Sequence, residues 1–125
     1  MITRFDHFVL TVRSVAETVA FYEQVLGFEA RTANDRTALH FAEHKINLHE
    51  VGHPFSPHAA APTPGSGDFC LVTNEPLEAV IARLEARGVA IEVGPVERTG
   101  ARAGLRSVYL RDPDGNLVEI ANETG

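Results

Sequence analysis

Two parts of this chain echo each other at a fixed offset of 61 residues. The distance from His7 to Gly27 equals that from Asp68 to Gly88, Leu10 maps onto Leu71, and the helix starts at Ser14 and Glu75 correspond. After each glycine comes a short β-prone run, Phe28-Glu29-Ala30 or Val89-Ala90-Ile91. Both halves therefore read strand, helix, strand, strand, strand. A single unit of that size cannot bury its own sheet face, so the units must pack together or against those of a partner chain.

Period and punctuation give the elements. Phe5 to Val12 alternates as a strand, with Phe8, Leu10 and Val12 on one face and His7, Val9 and Thr11 on the other. Ser14 and Glu17 form a capping box, and Val15, Val19, Tyr22 and Leu26 recur at helical spacing until Gly27. Short strands are expected at 28–31 and 37–41 around Ala33-Asn34-Asp35, and another at 46–51. Val51 to Gly67 carries Pro54, Pro57, Pro62 and Pro64 and reads as a linker without a core. Asp68 to Thr73 is the next strand. A helix is expected over 75–87, with Pro76 in its first turn, followed by a strand at 89–93 and a loop at 96–105. Ser107 to Leu110 and Leu117 to Ala121 make a hairpin around Asp112-Pro113-Asp114-Gly115-Asn116. The fold class is α+β: paired βαβββ modules, about 4–51 and 68–122, forming a cupped, mostly antiparallel sheet with helices outside.

Composition narrows the function. A chain of 125 residues makes one domain or two half-domains sharing a core. Net charge is −6, which argues against nucleic acid or an anionic membrane as partner. No apolar run reaches the ~20 residues of a spanning helix, and the N-terminus leads straight into a strand rather than a signal peptide. With Cys70 alone, no internal disulfide forms, and a cytoplasmic protein is expected.

Strand parity then sorts the polar residues. If each helix covers the more apolar face, the other face carries His7, Asn47 and His49 from the first half. From the second half it carries Asp68, Cys70, Ser107, Tyr109, Arg111, Leu117 and Glu119. His7 and Asp68 lie on equivalent strands, as do His49 and Glu119, so a pseudo-twofold would gather two imidazoles and two carboxylates. That nitrogen and oxygen set suits a divalent first-row ion (Zn, Ni, Co, Fe or Mn) with open positions for substrate. Asn47, Ser107, Tyr109 and Arg111 are the candidate substrate contacts, and Glu119 the candidate catalytic carboxylate. Plainer readings stand beside these. A lone histidine on an apolar strand is more often a hydrogen-bonded core residue, Glu50 competes with its neighbour His49, and Asp68 at a strand start serves equally as a turn residue. Cys70 reads as a small buried hydrophobe, and Arg98, Arg102 and Arg106 as a solvated loop that would also suit an anionic substrate tail. His53 and His58 are candidates to line a cleft beside the linker.

The paired strand–helix–three-strand halves, Asp6-His7 on the first strand, and Asp112-Pro113-Asp114-Gly115-Asn116 leading to Glu119 resemble the vicinal oxygen chelate superfamily. That superfamily includes glyoxalase I, fosfomycin-modifying transferases, bleomycin-binding proteins and extradiol dioxygenases. Asn47-Leu48-His49-Glu50-Val51, Gly94-Pro95, Arg98-Thr99-Gly100 and Arg111-Asp112-Pro113-Asp114 bring the chain nearest to glyoxalase domain-containing protein 5 and related bacterial virulence proteins. The resemblance implies a homodimer with one metal per cup, held by His7, His49, Asp68 and Glu119. Asp68 departs from the pattern, since glyoxalase I and the dioxygenases usually have histidine on that strand.

Three functions follow as expectations. The first is a metal-dependent lyase or isomerase of lactoylglutathione lyase type, acting on a small substrate with vicinal oxygens. The second is an extradiol-type dioxygenase. The third is a metal-free protein that sequesters a cationic drug in an acidic cup.

Overall fold

The computed structural model describes residues 1–125, in the order β1 (His7–Val12), α1 (Val15–Leu26), β2 (Glu29–Ala33), β3 (Arg36–Phe41), β4 (His44–Glu50), β5 (Asp68–Val72), α2 (Leu77–Ala86), β6 (Val93–Thr99), β7 (Gly104–Arg111) and β8 (Leu117–Thr124). The chain divides into two compact units, Met1–Ser66 and Gly67–Gly125. Each holds one helix and a four-stranded mixed sheet, in the orders β1-β4-β3-β2 and β5-β8-β7-β6. In each, the first and last strands pair in parallel and the remaining neighbours are antiparallel. The βαβββ unit expected from the repeat is thus formed twice. No helix is long and apolar enough to cross a membrane.

In the first unit the Ser14 hydroxyl accepts from the Glu17 N–H at 3.1 Å and starts α1. Gly27 ends it in the left-handed region at φ 72°. Thr18, Tyr22 and Val25 turn inward, and Leu10, Val12, Leu39, Ile46 and Leu48 form the buried sheet face. A ladder of rings, Tyr22 to Phe28 at 5.4 Å and Phe28 to Phe41 at 4.6 Å, closes one end. Cutting Ile46 back to alanine in such a core costs about 2–5 kcal/mol.

In the second unit Leu77, Val80 and Leu84 of α2 are buried, as are Val108, Leu110, Val118 and Ile120 on β7 and β8. Helix α2 starts two residues later than expected, because Pro76 occupies its N-cap position and has no side chain to cap with. The cap comes from 45 residues downstream: Asn122 Oδ1 accepts from the Leu77 N–H at 2.8 Å. Its Nδ2 donates to the carbonyls of Thr73 at 3.0 Å and Glu75 at 2.8 Å.

The expectation for 89–105 is corrected. Residues 89–92 are not a strand, and most of the supposed loop is β6 and the start of β7. Pro95 masked this strand from a sequence reading, yet β6 is the edge of its sheet, where a missing N–H is tolerated, and a register shift separates Val93 from Val96. Gly94 is required there twice over. Its φ is +115°, and a Cβ at that position would stand 2.5 Å from the Ser107 carbonyl oxygen.

Candidate functional site

Glu119 sits mid-strand on β8, with a neighbour strand on either side. The register places Cys70 on β5 and Tyr109 on β7 directly beside it. Ser107, fully buried, donates its hydroxyl hydrogen to Glu119 Oε2 at 2.7 Å. The structure thus brings Ser107, Tyr109 and Glu119 together, as strand parity required.

Cys70 is exposed, which corrects its reading as a buried hydrophobe. Its thiol is pushed up from 9.0 to about 11, by partial desolvation first, then by the Glu119 charge and a hydrogen bond to that carboxylate. A thiol held protonated in this way is a donor to Glu119 and a poor nucleophile. Asp68 is exposed on the edge strand β5, opposite Leu117 and one same-face position before Cys70.

The arginines are already engaged. Arg111 donates to both oxygens of Glu92, at 3.1 and 3.0 Å, and to the Gly115 carbonyl at 3.1 Å. Arg102 pairs with Glu123 and Arg106 with Glu78, each at 2.7 Å. Arg98 donates from Nε to the Tyr109 hydroxyl at 3.0 Å. These side chains point to separate partners and form no common anion site.

The turn that leads to Glu119 is a structural staple. Asp112 Oδ1 accepts from the Asp114 and Asn116 N–H groups at 3.0 and 2.9 Å, and its Oδ2 accepts from Asn116 Nδ2 at 2.8 Å. Asn116 Oδ1 in turn accepts from the Gly67 N–H at 2.7 Å. Both side chains are buried, so this motif sets the start of β8 and does no chemistry itself.

In the first unit His7 begins β1, and its Nδ1 lies 2.8 Å from Asp6 Oδ1. That bond orients the ring and leaves Nε2 for another partner. The Asp6 carboxyl is held below its usual range, chiefly by this hydrogen bond. The parallel register pairs His7 with Lys45, Val9 with Asn47, and Thr11 with His49. At ~3.3 Å per residue His49 stands about 13 Å further along the strands than His7. The two imidazoles share a face without sharing a point, which corrects the placing of His49 in one ligand set with His7. Asn47 is the residue that stands to His7 as Glu119 stands to Asp68, two positions beyond the register partner. Glu50, the other candidate on that strand, pairs with Val12 and takes the opposite parity.

His49 is 8% exposed and its Nδ1 has no hydrogen-bond partner. Its pKa is lowered, by burial first and then by the charges of His58 and Arg36. It lies edge-on to Phe55, centroid to centroid 5.4 Å, and Arg36 stacks over the same ring at 4.4 Å. Together with Arg31, His40, Lys45 and Asn47 these residues line a cleft of about 430 Å³ on the open face of this sheet. A cleft beside the linker is expected with His53 and His58 in its wall, but the linker residue that lines this cleft is Phe55, the one aromatic residue of 51–67. The expectation also lacks Arg31, Arg36 and Lys45, to which the same parity rule extends.

No group of three or more His, Cys, Asp or Glu side chains comes together so as to hold a metal ion. Taken singly, the first unit offers His7 with the amide of Asn47, and the second offers Asp68 with Glu119. The donor chemistry suits a divalent ion, but either unit alone falls short of the three or four ligands such an ion takes.

Residues 4–120 match the family described as the Glyoxalase/Bleomycin resistance protein/Dioxygenase superfamily. Virulence protein STM3117 of Salmonella typhimurium is 50% identical over 122 residues, which are 97% of this chain and 85% of that protein. Its crystal structure superposes with a TM-score of 0.97 at 49% identity, covering 99% of both chains. The Glyoxalase domain-containing protein RDO1 of Mycosarcoma maydis is 38% identical over 117 residues, 94% of this chain and 66% of that protein. An integron cassette protein from the mobile metagenome of V. Cholerae gives a TM-score of 0.96 at 44% identity, covering 99% of this chain and 98% of that one.

Proposed function

The chain belongs to the Glyoxalase/Bleomycin resistance protein/Dioxygenase superfamily, and from that premise we propose that it is a metal-dependent enzyme of glyoxalase type. Its reaction would be that of a lyase or isomerase on a small substrate with neighbouring oxygens. His7, Asp68 and Glu119 would hold one divalent ion (Zn, Ni, Co, Fe or Mn), and Asn47 would offer an amide oxygen where a fourth charged donor is lacking. The observation that carries this reading is the shared register step: His7 to Asn47 and Asp68 to Glu119 are matched pairs of donors on matched pairs of parallel strands.

The ion, when bound, would polarise the substrate oxygens as a Lewis acid. The chain's own residues do the rest. Glu119, or Asp68 in its place, would be the general base when not engaged by the ion; Glu119 has one oxygen fixed by Ser107 and the Cys70 thiol beside it. Tyr109 beside it, steadied by Arg98, is the substrate contact of this module. We take the working form to be a cytoplasmic homodimer, which sedimentation would check.

Elemental analysis and titration with each ion test the reading. His7→Ala and Glu119→Gln should each weaken metal binding, and the methylglyoxal–glutathione hemithioacetal should be converted. Unchanged affinity in both variants rejects this ligand set. Oxygen uptake with catechols would instead favour the dioxygenase reading. A metal-free binding protein is the second reading, favoured because each unit by itself supplies only two of the donors. It predicts no bound metal and no thermal stabilisation by any of the five ions.

A further inference from the structure

The register of the first sheet sets out its open face row by row. Arg31, Ala38, Asn47 and Val9 form one row, and Glu29, His40, Lys45 and His7 form the next. Arg36 and His49 lie on the other side of the first row. Ala38 thus makes a low floor, with long basic side chains standing around it. None of the residues lining the cleft is acidic. Arg31 is neutralised by Glu29, Nε to Oε1 at 3.0 Å. Arg36 and Lys45 have no carboxylate in ion-pair contact. Asp6 is near enough to Lys45 for its carboxyl to feel that charge, but the bond it makes is to His7.

A chain of net charge −6 that leaves two cations unpaired around a hollow needs a reason. A second observation supplies it. His49 is more than nine-tenths buried in the wall of this cleft, and its Nδ1 has no partner. A buried polar atom left unpaired costs free energy, and a small turn of the His49 ring that brings Nδ1 to a bound ligand would recover that cost.

We propose that this cleft binds a small organic anion, its carboxylate or phosphate-type group held by Arg36 and Lys45, with Asn47 and His49 as neutral partners and Phe55 against its apolar body. The proposal gives the charge of the substrate in the reading above, and rests on that reading only for the word substrate. It also rejects the acidic cup for a cationic drug as a description of this face. Arg36 is exposed, yet its guanidinium stacks over Phe55 at 4.4 Å and is thereby already oriented for a planar anion.

The test is isothermal titration of the chelator-treated protein with phenylphosphonate, benzoate and inorganic phosphate, with benzamide and benzylammonium as uncharged and cationic controls. Chelation keeps this result separate from the metal reading, which stands or falls on ion binding. Binding of phenylphosphonate or benzoate, weakened by added salt and by roughly tenfold or more in Arg36→Met and in Lys45→Met, supports the proposal. If phosphate alone binds, the recognised group is a free inorganic anion and the apolar contact with Phe55 is wrong. Equal binding of benzamide, preferred binding of benzylammonium, or unchanged affinity in both variants overturns the proposal. Both substitutions lie on exposed or half-exposed positions outside the buried face, and thermal melting confirms that each variant folds.

Discussion

Ser107 donates its hydroxyl hydrogen to Glu119 across 2.7 Å, from a fully buried position to the one carboxylate in the middle of this sheet face. Without that bond the carboxylate swings between rotamers and any ion it holds is held less well. Ser107→Ala should therefore weaken divalent ion binding by roughly ten- to a hundredfold, the effect usual for removing a partner of a metal-holding side chain. Stability should fall by only about 1 kcal/mol. Titration with Ni and Zn measures the first, and urea denaturation the second. Equal ion affinity in variant and parent would remove Glu119 from the ligand set or Ser107 from its support.

Cys70 yields a pH prediction whose sign follows from partial burial first and from the Glu119 charge beside it second. Its thiol is pushed from 9.0 to about 11 in the folded chain, so the folded state binds that proton more tightly than the unfolded one. The thiol's share of stability is complete below pH 9.0 and is lost as the pH rises toward about 11. Alkylation by iodoacetamide should be slow at neutral pH and climb only in strong alkali. Glu119→Gln removes the negative charge beside the thiol and should speed the reaction at pH 8. A fast reaction in the parent protein at pH 7 would show that neither burial nor Glu119 holds the thiol protonated.

Asn116 ties two strands through one side chain, giving to Asp112 and accepting from Gly67. Asn116→Ala takes one partner from the half-buried Gly67 N–H and one from the buried Asp112 carboxylate, and should cost about 1–3 kcal/mol. Asn122→Ala removes the remote cap of α2 and should cost about 1–2 kcal/mol. Denaturant midpoints check both. The Asp112-Pro113-Asp114-Gly115-Asn116 run thus signals the fold for a physical reason, because the side chains of Asp112 and Asn116 are spent on holding the start of β8.

Period-two alternation and the 61-residue echo were legible because both act locally or at fixed spacing. They placed Glu119, Ser107 and Tyr109 on one face without any knowledge of strand order. Parity says which face a side chain takes, and nothing about how far along a neighbouring strand it stands. Parity alone therefore groups His49 with His7: only the observed pairing of β1 with β4 shows Asn47 two positions beyond the partner of His7. Pro95 hid β6 because a sequence does not reveal which strand is the edge. Phe55 was invisible for a different reason, since its contact with His49 is tertiary and leaves no periodic trace.

His49→Leu separates the register argument from its rival. The substitution removes a buried ring nitrogen that has no partner and replaces it with an apolar side chain of similar bulk. Stability should be unchanged or rise by about 1 kcal/mol, against the usual loss at a buried position. Divalent ion affinity should not move, because the ring stands about 13 Å along the strands from His7, beyond a shared coordination sphere. Binding of phenylphosphonate in the basic cleft should weaken, since one of its neutral partners is gone. Melting, ion titration and anion titration of this single variant give three readings. A fall in ion affinity as large as that of His7→Ala would restore His49 as a ligand and show that the strands rearrange when the ion binds.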